Sequence, residues 1–320
     1  MRFGRGGREV ASGRGRRGVV SSGGGRGGTP ALEATGLGVR YRHTWALRDC
    51  SLSVPAGRVA ALVGPNGAGK TTLMHAAVGL LRPARGSVRA AGEVAFVAQD
   101  KPLYEGFTVA EMLTFGRRMN HRVDHRWGGR MNGRWDGSAA AARLARLGIP
   151  LERKVSALSG GQQAQVAVTL ALAVRPDLLV LDEPLANLDP LARHDVMRSI
   201  MAEVADRELT VLLSSHVVSD LEETCDWLVV LNGGRSQVSG DIEELLDGHL
   251  VLTGPDGASA AGAQVVSASR TGRQVSMLVR GACPPDPRWQ ARRPGLEELV
   301  MGYLRSPEAA ALPAPTGVDA

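Results

Sequence analysis

Lysine is scarce in this 320-residue chain: Lys70, Lys101 and Lys154 are all there is. A motif that demands a lysine at fixed spacing therefore has few chances to arise by accident, on the order of 1% here. Cysteine is equally rare. Cys50, Cys225 and Cys283 are odd in number, scattered and in no C-x-x-C spacing, which speaks against a disulfide framework or a zinc site and fits a reducing compartment. Long hydrophobic runs are missing too. The longest uncharged apolar stretch, Val166 to Val174, is about nine residues against the roughly 20 of a membrane helix. Residues 1–29 have no apolar centre of the kind a secretory signal needs. These absences lead to the expectation of a chain that crosses no membrane and works in the cytoplasm. No heptad run and no internal repeat is visible.

What is present is a sharply localised charge. The formal net charge of +6 equals the seven Arg less the one Glu of residues 1–29, so the rest of the chain is neutral. The basic character belongs to an Arg/Gly-rich tail, expected to be disordered because its composition cannot build a core. Such tails bind RNA or anionic lipid in some proteins. A solvated extension is the reading adopted here, and no specific nucleic acid is expected.

Ordered structure is expected from Pro30. "LEATGLGVRY" and "LRDCSLSV" alternate apolar and polar residues as half-buried strands do. "GRVAALV" is a buried strand leading into a helix from about Lys70 to Leu80, and "GEVAFVAQ" ends a strand near Gln99. Residues 108–147 read as helical, broken by "WGGRMNGRWDG". A helix from Ser159 to about Val174, the strand "DLLVLDEP", a helix after Pro190 and the strand "LTVLLSSH" follow. Strands and helices alternating in this order imply an α/β fold with a mainly parallel sheet. After Gly248 come short strand-like pieces and a helix, "GLEELVMGYLR". The expected organisation is a disordered tail (1–29), a main domain (30–248) with a helical subdomain near 100–174, a small α+β appendage (249–306) and a disordered end (307–320).

Gly64, Gly69, Lys70 and Thr71 complete G-x-x-x-x-G-K-[ST] within "GPNGAGKTT". The loop's backbone N–H groups and the helix N-terminus cradle phosphates, Lys70 reaches the β/γ-phosphates, and Thr71 offers a hydroxyl to Mg²⁺. The contributors are Gly64, Pro65, Asn66, Gly67, Ala68, Gly69, Lys70, Thr71 and Thr72. Further on, "LLVLDEP" places Asp182 and Glu183 at a strand end. Asp182 is expected to hold Mg²⁺ directly or through water, and Glu183 to polarise the attacking water. Gln99, as a metal ligand or γ-phosphate sensor, and His216, closing "VLLSSH", complete the catalytic candidates.

Taken together and in order, these motifs resemble the ATP-binding cassette (ABC) family over roughly residues 32–246. The matches are the Walker A loop, the Q-loop Gln99, the signature "LSGGQ" (Leu158–Gln162), Walker B with Glu183, the D-loop "ANLD" (Ala186–Asp189) and the switch His216. The resemblance implies a P-loop ATPase core with an antiparallel β subdomain and a helical subdomain, and ATP and Mg²⁺ as cofactors. It implies Tyr41, 29 residues before Lys70, as the aromatic stacking on adenine, with Trp45 a weaker candidate. It also implies a partner: a second ABC ATPase subunit, expected as a homodimer, in which Ser159, Gly160, Gly161, Gln162 and Asp189 of one copy meet the ATP held by the other. "SGG" at a helix start is itself an anion site with no evident ligand in its own chain. Two departures are visible. No basic residue follows the signature in "QQAQ", and Ala186 stands where Ser is commoner.

One cassette without a membrane span resembles the separate ATPase subunit of a transporter, docked on a transmembrane permease at the cytoplasmic face of the membrane. The appendage resembles bacterial multidrug and antibiotic exporters; an importer subunit is the alternative. Soluble cassettes acting on ribosomes or DNA carry two cassettes or a long coiled coil, and neither occurs here. The Arg118, Arg122, Arg126, Arg130, Arg134 series reads as a solvated face, and His121 and His125 lack a third metal ligand.

Overall fold

The computed structural model describes residues 30–120, 134–256, 262–281 and 286–312. Strands β1 (Pro30–Tyr41) and β2 (Thr44–Pro55) pair antiparallel. The buried positions of β1 switch from Leu32 and Ala34 to Leu37 and Val39. The change of parity falls at a register shift spanning Gly36, whose φ of +53° a glycine takes without strain. β3 (Val59–Val63) follows, then α1 (Lys70–Ala77), which stops short of the expected Leu80 because Gly79 takes φ +78° and ends the helix. β4 (Arg85–Ala90) pairs with β1, giving a three-stranded antiparallel sheet in the order β2-β1-β4.

β5 (Val94–Val97), α2 (Val109–Asn120), α3 (Gly137–Arg146), α4 (Gly160–Ala173), β6 (Leu178–Leu181) and α5 (Pro190–Asp206) come next. They lead to β7 (Thr210–Ser215), the one-turn α6 (Ser219–Glu222), β8 (Trp227–Asn232) and β9 (Arg235–Asp241). The main sheet has the order β5-β6-β7-β3-β8-β9, parallel except for β9 at its edge.

The continuous apolar runs of β3, β6 and β7 exist because both faces of this sheet are covered. Ala60, Leu62, Leu178, Val180 and Leu212 face the three-stranded sheet and α1, joining Leu32, Leu47, Leu73 and Met74. Ala61, Val63, Leu179, Leu181, Val211 and Leu213 face the other way, against Val168 and Leu172 of α4 and Val196 and Ile200 of α5. α2, α3 and α4 share a satellite core of Val109, Leu144, Ile149, Leu158 and Val166. His121, His125, Arg122, Arg126 and Arg130 lie outside the described residues. Arg118 is exposed on α2, and Arg134 stands 4.0 Å from Asp177.

Beyond α7 (Ile242–Asp247), β10 (His249–Pro255), β11 (Gln264–Thr271), β12 (Gln274–Arg280) and β13 (Gln290–Arg292) form an antiparallel sheet ordered β11-β12-β10-β13. α8 (Leu296–Arg305) closes the fold. One face of this sheet has a small core of Leu252, Val275, Val279 and Trp289. The other joins the main core through α8, whose Leu296, Leu299, Val300 and Tyr303 cluster with Val230 and Val238. The tail from residue 307, expected to be disordered, is placed as far as Leu312. There the Ala311 N–H donates to Gln237 O at 2.6 Å, and the Ala311 carbonyl accepts from the Ser239 N–H at 3.1 Å. Backbone pairing of this kind leaves no side-chain pattern to read.

Candidate functional site

The phosphate loop connects the end of β3 to the start of α1, and two glycines are obligatory for close packing. A Cβ on Gly69 would lie 2.6 Å from Leu47 Cδ2 and 2.8 Å from Ala46 O, and one on Gly64 would collide with Leu231 O. The first turn of α1 carries no acidic side chain, so its positive end is unopposed. Lys70 is only 7% exposed, and its Nζ donates to Gly64 O at 2.8 Å and Pro65 O at 3.3 Å. A buried ammonium held by carbonyls alone invites an anion.

Opposite the loop, β6 ends at Leu181 and delivers two acids with different surroundings. Asp182 is 2% exposed; its N–H donates to Val97 O, and its Oδ1 accepts from Ser214 Oγ at 2.7 Å. The same Ser214 Oγ accepts the Glu183 N–H at 2.7 Å. Ser214 thus ties both acids to β7. Glu183 takes φ +46°, a costly conformation for a side-chain-bearing residue. Its carboxylate meets Gln99 Nε2 at 3.2 Å and His216 Nδ1 at 3.5 Å.

Gln99, Glu183 and His216 line one cavity of about 780 Å³ with the phosphate loop from Gly64 to Gly67 and Gly69 to Thr72. The sequence candidates Lys70, Gln99, Glu183 and His216 are therefore brought together from four separate segments. Thr71 and Gln99, each with a side-chain oxygen, both line this cavity, and oxygen donors of this kind suit Mg²⁺. Asp182 does not line the cavity, and its Oδ1 accepts from Ser214 Oγ. Among the described residues no group of three or more His, Cys, Asp or Glu forms a metal cluster.

Other candidates lie elsewhere. Ser159 caps α4: its Oγ accepts the Gln162 N–H at 3.2 Å, and Gln162 Oε1 accepts the Ser159 N–H at 3.1 Å. Ser159, Gly160, Gly161 and Gln162 do not line the cavity. Gln162 spends its side chain on the cap. Asp189 caps α5, its Oδ1 accepting from Ala192 N at 2.9 Å. Tyr41 is 49% exposed at the end of β1 and does not line the cavity, whereas Ala46 does. Trp45 is flanked by the guanidinium groups of Arg40 at 5.6 Å and Arg85 at 5.3 Å, a structural use of its ring. Gln165, where "QQAQ" lacks a base, is buried, and neither of its amide atoms finds a partner among the described residues.

Sequence reasoning missed Ser214, although it stands in the quoted "VLLSSH", and missed that α8, expected as a helix, reaches the cavity. Val300, Met301 and Leu304 form part of the cavity wall. The amphipathic spacing of α8 was the available signal, but not its destination.

The family profile described as ABC transporter matches residues 47–186. The chain is 31% identical over 212 residues to the ABC transporter ATP-binding protein YxlF of Bacillus subtilis, covering 64% of this chain and 69% of that one. It is 34% identical over 237 residues to the Nod factor export ATP-binding protein I of Cupriavidus pinatubonensis, with 69% and 70% covered. It is also 32% identical over 229 residues to the sulfate/thiosulfate import ATP-binding protein cysA of Cucumis sativus, with 68% and 65% covered. Among solved structures, a nucleotide-free ATP-binding cassette from an ABC transporter superposes with TM-score 0.58 at 26% identity, covering 67% of this chain and 92% of that one. The cbiO1 protein of Clostridium perfringens, part of the ABC transporter complex cbiONQ, superposes with TM-score 0.56 at 25% identity, covering 68% and 91%. With the phosphate loop, Glu183 and His216 gathered on one cavity, the chain belongs to the ABC transporter family, as one of its ATP-binding, ATP-hydrolysing proteins.

Proposed function

We propose that this chain powers a bacterial exporter of drugs, antibiotics or other hydrophobic compounds, acting through a separate membrane-spanning subunit at the cytoplasmic face of the membrane. Two copies close head to tail, each presenting Ser159–Gly161 to the ATP held by the other. The observation that carries the reading is the division of the site. Lys70, Gln99, Glu183 and His216 meet on one cavity, while the capped N-terminus of α4 stands off it.

In this arrangement Lys70 exchanges the Gly64 and Pro65 carbonyls for the β- and γ-phosphates. Glu183 accepts the proton of the water attacking the γ-phosphorus, oriented by Gln99 and His216. Thr71, Gln99 and Asp182 would hold Mg²⁺, which would neutralise phosphate charge when bound. Tyr41 at the mouth of the hairpin is the residue assigned to the adenine.

An exposed aromatic group supports docking of a membrane subunit between Gln99 and α2. Tyr104, 51% exposed, packs at 5.1 Å against both Phe107 and Phe115. The chain has only four Phe, and two stand here. Similarity to an export ATP-binding protein supports the direction; similarity to an import protein supports import as the second reading.

The test is purification of tagged chain from its native membranes with whatever copurifies, followed by flux. A polytopic partner, and ATP-dependent uptake of a hydrophobic dye into inside-out vesicles, are expected. Recovery with ribosomes or nucleic acid would contradict the transporter reading. A polytopic partner whose inside-out vesicles take up no dye would contradict the export direction.

A further inference from the structure

Two large apolar side chains stand exposed on the two halves of this divided site. Leu191 is 71% exposed on the first turn of α5. Its neighbour Ala192 packs against the signature turn: a Cβ on Gly161 would lie 2.8 Å from Ala192 Cβ. Leu191 therefore travels with Ser159–Gly161. Met301 is 38% exposed on α8, although Leu299, Val300 and Tyr303 around it are buried. It lines the nucleotide cavity together with Leu304 and His216.

The wall that carries Met301 is held firmly. Asn232 Nδ2 donates to Leu304 O at 3.1 Å, and Tyr303 Oη meets His249 Nε2 at 2.7 Å. The hairpin after Asn232 reaches the phosphate loop itself, Gly234 N–H donating to Ala68 O at 3.2 Å. Exposed apolar side chains scattered singly need no explanation, but these two share a geometry. In a pairing that lays Ser159–Gly161 of one copy over the phosphate loop of the other, Leu191, two residues past the α5 cap and beside the signature turn, would approach the cavity that Met301 lines.

We propose that in the ATP-bound pair Leu191 of one copy seats against Met301 and Leu304 of the other, so that the C-terminal helix is part of the ATP-dependent contact. The proposal rests on the head-to-tail pairing argued above. By two-fold symmetry the contact occurs twice. The thioether of Met301 suits it, being able to adapt to an arriving side chain without a preformed pocket. The appendage is thereby linked to nucleotide occupancy and not only to fold stability.

The experiment uses full-length chains carrying Glu183→Gln to hold ATP, and Cys283→Ser; Cys50 and Cys225 are buried. One chain bears Leu191→Cys, the other Met301→Cys. With ATP and a copper-phenanthroline oxidant, the mixture gives a disulfide-linked dimer, while either chain alone, or the mixture without ATP, does not. An ATP-dependent dimer by size exclusion with no cross-link would overturn the contact and leave the pairing standing. No ATP-dependent dimer at all would overturn the pairing and the contact with it. As a second measurement, Leu191→Lys and Met301→Glu are each expected to weaken ATP-driven dimerisation about tenfold, from lost apolar burial. Mixing the two chains restores it through the opposite charges; equal weakness in the mixture would overturn the contact.

Discussion

Gln99 Nε2 stands 3.2 Å from Glu183 Oε2, joining the segment after β5 to the segment after β6 across the nucleotide cavity. The two strands are neighbours in the sheet, paired from Val94↔Leu178 to Val97↔Leu181, so the two side chains leave adjacent strand ends. An exposed aromatic group follows Gln99 a few residues later. On the docking proposed above, a push on Tyr104 or Phe107 would reach Gln99, and through it Glu183, along the few residues between them.

Glu183→Gln keeps the shape of that carboxylate and removes its basicity. ATP binding is expected to persist while phosphate release falls at least about 10²-fold. Turnover at the wild-type rate would remove Glu183 from the role assigned to it.

Ser214→Ala withdraws the hydroxyl that donates to Asp182 Oδ1 and accepts from Glu183 N. Leaving a buried carboxylate short of a donor costs about 2 kcal/mol. The positive φ of Glu183 loses one of its restraints. The expected result is a kcat about tenfold lower with KM for ATP little changed, because the phosphate loop is untouched. A change confined to KM would show that Ser214 acts on binding instead.

Arg143 on α3 bonds Glu203 Oε1 at 2.8 Å and Ser199 O at 3.0 Å, tying the helical lobe to α5. Its guanidinium is almost wholly buried. Arg143→Met should lower unfolding stability by about 2 kcal/mol in urea titration. Arg143→Lys should recover little of it, since an ammonium cannot reproduce the fork.

His249 gives a pH dependence. Its Nδ1 meets Leu245 O at 2.6 Å and must donate there, so Nε2 accepts the Tyr303 hydroxyl proton. Burial holds the imidazole below its ordinary pKa, the Leu245 carbonyl opposing this and the Arg280 charge adding to it. Burial also pushes the Tyr303 phenol up to about 12. The unfolded chain takes up a proton near pH 6.5 that the folded chain refuses until lower pH, so stability is lost as pH falls below that value. Wild-type Tm should drop more steeply than that of His249→Gln between about pH 7 and about pH 5.5.

The strands of the main sheet were legible because burial on both faces makes their sequences continuously apolar. The phosphate loop was legible because glycine, lysine and threonine each answer a separate steric or electrostatic demand. Ser214 was not, since a serine at a strand end carries no periodic signal and its importance lies in contacts to residues 182 and 183. α8 was visible as a helix, but its arrival at the cavity depends on β8, with which it shares Val230, and on the His249–Tyr303 bond. The pairing of Ala311 with β9 uses backbone groups alone. Tyr41 shows the converse: the resemblance assigns it to adenine, yet it lies off the cavity and its role remains for nucleotide binding by Tyr41→Ala to measure.

The central claim is that one ATP is hydrolysed by residues of two chains. Lys70→Ala and Ser159→Arg should each abolish hydrolysis alone. Mixed in equal amounts, they form pairs in which one site carries both lesions and the other carries none. About a quarter of the wild-type rate should then return if the sites work independently. A mixture as inactive as its components would contradict the account, since it would place Ser159 and Lys70 at the same ATP within a single chain.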